Sequence, residues 1–137
     1  MRISLGYPDA AAERELLAGS DRRSLLRRVT PRIGPQSLLA WQAHVERIHV
    51  SPALLDYVQA LVGATRVSAH WEIGLSPRAA LALLRAARAW AMIDGRAHVV
   101  PEDVQAVLPS VASHRLNALE GDTTEQVRAL LEGVAIP

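Results

Sequence analysis

Ser76-Pro77-Arg78-Ala79-Ala80-Leu81-Ala82-Leu83-Leu84-Arg85-Ala86-Ala87-Arg88-Ala89-Trp90-Ala91-Met92-Ile93-Asp94-Gly95 is the stretch that decides the fold. Serine followed by proline is a helix start: the hydroxyl can accept a hydrogen bond from a free first-turn N–H, and the proline ring presets φ for the first helical residue. Alanine, leucine and arginine then run on without a β-branched residue until Ile93, a composition of low helical cost. At about 100° per residue, Ala80, Leu83, Leu84, Ala87, Trp90 and Ala91 share one side, while Arg78, Arg85 and Arg88 gather within about 80° of one another opposite it. Gly95 ends the helix.

The flanking sequence repeats this grammar. Ser51-Pro52 starts a helix with Leu54, Val58, Leu61, Val62 and Thr65 on one face. Val99-Val100-Pro101-Glu102-Asp103 opens another, with acids in the first turn, where the helix dipole favours them, and Val104, Val107, Leu108 and Val111 inward. Asp122 precedes a last helix from Thr123 to Glu132, with Val127, Leu130 and Leu131 inward and Gly133 as its cap. Upstream, Leu38, Trp41, Val45 and Ile48 recur at steps of three and four in a helix beginning near Gln36 or Ser37. Asp9 can cap a helix from Ala10 to Leu17 that Gly19 stops. Between these, Asp21 to Gln36 carries five arginines with Thr30-Pro31 and Gly34-Pro35, and reads as an exposed connection with one short helical turn. Ile3 to Leu5, before Gly6-Tyr7-Pro8, is a very short strand candidate, and a lone strand cannot satisfy its own backbone. The expected fold is therefore all-α, a small bundle of five to six helices with a short N-terminal strand left over.

Composition removes many functions. At 137 residues, half of them apolar and 21% charged, the chain is sized for one folded domain and too often interrupted to span a bilayer. It has no cysteine, which excludes a disulfide framework, a thiolate nucleophile, a zinc finger and an iron–sulfur centre. All fifteen basic residues are arginine, so a phosphate-loop lysine, a Schiff base and a Ser-Lys hydrolase are excluded too. A net charge of +1 and 4% aromatic residues do not indicate a broad nucleic-acid surface. Met1 to Leu5 lack the apolar run of a signal peptide, so the expected location is the cytoplasm.

Among candidate sites, Arg78 stands out. It holds the second helical position, where a cation faces the positive end of the dipole, and an anion bound there by backbone N–H groups and guanidinium would explain it. Arg85 and Arg88 read as a solvated face. Ser76 reads as a helix cap, because Gly74-Leu75-Ser76-Pro77-Arg78 lacks the second glycine of a nucleophile elbow. His44 and His49 lie five apart, and His70, His98 and His114 stand alone, so no metal site is expected. Trp41, Trp71 and Trp90 are core or interface candidates, with Trp90 placed on the buried side. A competing reading is a freestanding helical module that binds nucleic acid or an acidic protein through Arg22, Arg23, Arg27, Arg28 and Arg32. Against it, the chain is nearly neutral, and no helix-turn-helix recognition face is evident.

Several segments, in order, resemble the MoxR class of AAA+ ATPases. Gly74-Leu75-Ser76-Pro77-Arg78-Ala79 resembles the family's second-sensor motif, Gly-x-Ser-Pro-Arg, at the start of a lid-domain helix. Tyr57 to Arg66 is similar to the helix before that motif, and Gly95-Arg96 with Val99-Val100-Pro101-Glu102-Asp103-Val104 to the segment after it. His114-Arg115-Leu116 and the terminal Val134-Ala135-Ile136-Pro137 also match the family pattern. Ile3 to Pro8 resemble the last core strand and hinge, with Glu13 and Leu17 at matching places beyond it. The resemblance implies residues 1–8 as strand end and hinge and 9–137 as a helical lid, a C-terminal piece whose Met1 would be internal to a longer protein.

The family's ATPase core, with its phosphate-loop lysine, acidic Walker B residues, first sensor and arginine finger, has no counterpart here. Catalysis by this piece alone is not expected. The resemblance implies a parent ATP hydrolase in which ATP and Mg are held mainly by the core, and Arg78 reaches the terminal phosphates from the lid. Ser76 belongs to the same nucleotide-facing motif, and Tyr7 and Pro8 either border the adenine or form a plain turn. The implied partners are the chain's own core, neighbouring subunits of a hexameric ring, and von Willebrand factor A-type proteins in a chaperone-like maturation role.

Overall fold

The computed structural model describes residues 1–19, 22–119 and 121–137. Seven helices follow one another among them: α1 (Ala10–Ala18), α2 (Arg22–Leu26), α3 (Pro35–Val45), α4 (Pro52–Val67), α5 (Pro77–Ile93), α6 (Pro101–Ala112) and α7 (Thr123–Gly133). The expected helices are all present, and α2 supplies the short turn anticipated in the arginine-rich connection. Asp21 and the side chains of Arg22 and Arg23, part of the competing reading, lie outside what is described.

The start signals act as their chemistry dictates. The side chains of Asp9, Ser51, Ser76 and Asp122 each accept a hydrogen bond from a first-turn N–H of the helix they precede. At the far end of α5, Gly95 has φ of 76°, which L side chains rarely adopt. That turn lets the Gly95 N–H reach the Met92 carbonyl and the Arg96 N–H reach the Ala91 carbonyl, closing two orphan acceptors.

The core lies among α4, α5, α6 and α7. Leu61, Leu83, Val104, Leu108 and Val127 are wholly buried there, each side chain contributing about 1.5–3 kcal/mol by leaving water. The buried positions of α5 are Ala79, Leu83, Ala87 and Ala91, and these small side chains let α6 pack closely along it. The buried stripe is thus turned slightly from the sequence reading, to Ala79 rather than Ala80. Trp90 is a correction: it is 45% exposed, because α6 covers the Ala87–Ala91 side and leaves the indole at the edge. Trp71 is buried, and Trp41 is exposed.

Two backbone bridges, not foreseen from the sequence, tie loops across the bundle. The His49 N–H donates to the Ala97 carbonyl, and the Val99 N–H to the His49 carbonyl, both at 2.9 Å, which seats Ile48 in the core. Glu72 and Leu119 make the equivalent antiparallel pair with Asn117 and His70. Ile3 to Leu5 form no ladder; the Arg2 N–H donates to the Ser110 carbonyl at 2.7 Å, and the rest of the segment is exposed. Among the described residues, no helix is long and apolar enough to cross a membrane.

Candidate functional site

The site begins with the seat of α5. Thr65, near the end of α4, is 1% exposed; its hydroxyl donates to the Val62 carbonyl at 2.7 Å and accepts the Leu75 N–H at 2.9 Å. Arg66 Nε donates to the Leu75 carbonyl at 2.9 Å. Both polar groups of the Leu75 backbone are therefore held by one turn of α4. Gly74 makes this possible: a Cβ there would stand 2.7 Å from the Arg66 Cα, closer than any side chain tolerates. Ser76 then accepts the Ala79 N–H at 3.2 Å, and Pro77 opens the helix. The cap role expected of Ser76 is the one it plays.

Arg78 leaves this braced start as an exposed side chain, and no hydrogen bond or ion pair engages its guanidinium among the described residues. It lines a groove of about 360 Å³ along α5 with Leu81, Ala82, Leu84, Arg85, Arg88 and Glu46. Glu46, the residue that closes α3, meets Arg85 Nε at 3.2 Å and an Arg88 terminal nitrogen at 3.4 Å. The face read as solvated thus carries a shared carboxylate. Glu46 was not a candidate in the sequence, because its partners lie some forty residues downstream, beyond any local pattern. Tyr7 is fully exposed, and neither Tyr7 nor Pro8 lines the groove. Arg27, Arg28 and Arg32 are exposed on the connection around α2, which packs on no other helix among the described residues.

Beyond the far end of α5, Arg96 and Asp103 form an internal clamp at the α5–α6 turn. Both Asp103 oxygens accept from Arg96, at 2.6 and 2.5 Å, and Oδ2 also accepts the Val100 N–H at 2.9 Å. Burial alone would raise the Asp103 carboxyl, but the hydrogen bonds from Arg96 and Val100 outweigh it and hold the group below its usual range. The same contacts with Asp103 and Asp94 raise the Arg96 guanidinium further above its ordinary value. Desolvation and the charges of Arg115 and Arg2 push His114 below an ordinary histidine. Among the described residues, no group of three histidine or acidic side chains is placed to hold a metal ion.

Known proteins resemble this chain in sequence and in fold. The AAA lid domain family matches residues 63–133, from late in α4 through α7. The chain is 34% identical to the chaperone MoxR1 of Mycobacterium tuberculosis over 99% of its own length and 40% of that protein. It is 36% identical to the MoxR protein of Paracoccus denitrificans over 85% of its length and 40% of that protein. A crystal structure of a "putative ATPase" from Cytophaga hutchinsonii superposes with a TM-score of 0.80 at 26% identity, covering the whole of this chain and 46% of that one. The chain spans less than half the length of each of these relatives.

Proposed function

The chain belongs to the AAA lid domain family, with its likeness in the MoxR class, and from that premise we propose that it is the nucleotide-sensing lid of a MoxR-like AAA+ ATPase. In this reading ATP and Mg are bound mainly by an ATPase core, and Arg78 reaches across to the terminal phosphates. The observation that carries it is Arg78 itself: an exposed guanidinium, without a partner among the described residues, at the second position of α5, on a start braced by Thr65, Arg66 and Gly74. A guanidinium offers forked donors and a permanent charge, so it holds a triphosphate more tightly than a diphosphate. That difference biases the lid between two positions and converts hydrolysis into rotation at Gly6-Tyr7-Pro8, where Tyr7 and Pro8 would also border the base. The braced seat matters because only a rigid α5 can transmit that pull to the rest of the bundle.

The same reading extends to a hexameric ring of such subunits in the cytoplasm. It also extends to chaperone-like remodelling or maturation of partner proteins, von Willebrand factor A-type proteins among them. The test is Arg78→Ala in the complete ATPase that carries this lid. Loss of a charge-assisted phosphate contact predicts a fall in turnover of about 10- to 100-fold with an unchanged melting temperature. Unaltered nucleotide affinity and turnover would overturn the proposal.

A further inference from the structure

His49 and His98 lie far apart in the chain, and no spacing rule connects them. The fold puts them side by side. The His49 N–H donates to the Ala97 carbonyl and the His49 carbonyl accepts the Val99 N–H, the pattern of a parallel pair in which His49 and His98 stand directly opposite. Opposite residues of such a pair project to the same face, from backbones about 4.8 Å apart. That face is the solvent one: Ile48 and Val99, the next residues on each segment, point into the core, while both histidines are exposed. Among the described residues, neither imidazole takes part in a hydrogen bond or ion pair. The nearby charges do not repel a cation. Arg96, whose guanidinium donates to the His98 carbonyl at 3.3 Å, already pairs with two carboxylates, Asp94 at 3.0 Å and Asp103 at 2.5 Å.

We infer that His49 and His98 form a two-imidazole site for a divalent late transition ion, zinc or copper, chelated across the bridge. Neutral imidazole is a preferred ligand of these ions, whereas magnesium and calcium take oxygen donors. A metal–nitrogen bond is about 2.0–2.1 Å, so the two ring nitrogens must come to about 3 Å from each other. Side chains rooted about 4.8 Å apart reach that separation by choice of rotamer alone. Water fills the remaining coordination positions on this exposed face, so two protein donors suffice for an open, exchangeable site. An ion there fastens the turn after α3 to the loop between α5 and α6, the segments that the bridge already joins. It adds a cross-link at the root of α3, beside the Arg96–Asp103 clamp. The inference uses none of the residues assigned to the nucleotide and does not rest on that reading.

The experiment titrates the untagged 137-residue chain with zinc chloride by calorimetry, and with copper(II) while the histidine ring NMR signals are recorded. One saturable equivalent is expected, with copper bound more tightly than zinc and magnesium without effect. Paramagnetic broadening should strike the His49 and His98 rings together and before any other histidine. Saturating zinc should raise the thermal midpoint, since the ion binds the folded pair. His49→Gln and His98→Gln should each abolish that rise and weaken zinc binding by about tenfold or more, at least the cost of losing a residue that merely supports a ligand. Both positions are exposed, so the metal-free midpoint of each variant should match the wild type. His70→Gln should leave zinc binding unchanged. Broadening led by His44, His70 or His114, wild-type zinc affinity in His98→Gln, zinc-linked dimers in sedimentation, or no saturable response would each overturn the site. The wild-type broadening decides the matter even where a variant fails to fold. None of these outcomes bears on Arg78, which is judged by turnover of the complete ATPase.

Discussion

The two ends of the chain use the same helical grammar with opposite results. From Ile48 onward, α4 to α7 bury their apolar faces in one another. Before Ile48, α1 and α3 have no buried residue at all, and Leu5, Leu17, Leu39 and Trp41 stand in solvent. The periodicity of Leu38, Trp41 and Val45 is as regular as that of Leu54, Val58 and Leu61. Pattern specifies a helix and the side it offers; burial requires a second surface to receive that side. Among the described residues α3 has only α5 to lean on, and α1 and α2 lean on no helix.

The sharpest way to break this contrast is to cut one leucine from each end. Leu83→Ala removes a wholly buried side chain and should cost about 3–5 kcal/mol in urea unfolding. Leu17→Ala, on the exposed face of α1, should change stability by less than about 0.5 kcal/mol. Similar losses in the two variants would show that the N-terminal helices are packed as tightly as the bundle.

The internal clamp gives a smaller effect with a pH signature. Asp103→Asn should cost about 2–3 kcal/mol at neutral pH, less than a fully buried pair because Arg96 keeps some contact with water. Asp103 titrates below its usual range when folded. Its contribution is therefore fully present above the pKa of an unfolded aspartate, near 3.9, and is lost as pH falls through the lower folded value. Unfolding measured from pH 7 to pH 2 should show an acid limb in the wild type that is shallower in Asp103→Asn; identical limbs would remove the clamp from the stability of the C-terminal half.

Gly74→Ala should cost about 1–3 kcal/mol, since the added methyl group forces the Arg66 backbone and the Leu75 strap apart. In the N-terminal half, Gly34→Ala meets open space and should be nearly neutral. Comparable thermal midpoints for the two would show that the α4 brace does not hold the start of α5.

Much of the site was legible locally. Ser76-Pro77-Arg78 announces a capped helix with a cation where a cation is unfavourable, and the structure leaves that cation exposed, without a partner among the described residues. What could not be read was everything set by residues distant in sequence. Thr65 looked like one more member of an apolar face, yet its hydroxyl secures Leu75 ten positions on. Glu46 had no visible role until α3 brought it to Arg85 and Arg88. Trp90 was read as buried from its angle on the helix, but that angle only places it beside the face α6 covers.

By itself the sequence determined where helices begin and end, because caps, prolines and glycines act through bonds to backbone groups three or four residues away. It also determined that no lysine or cysteine chemistry is available to this chain. Only the tertiary structure decided which apolar faces are covered, which arginine keeps a free charge and which shares a carboxylate. Those outcomes depend on distances between segments far apart in the chain, and side-chain periodicity carries no record of them.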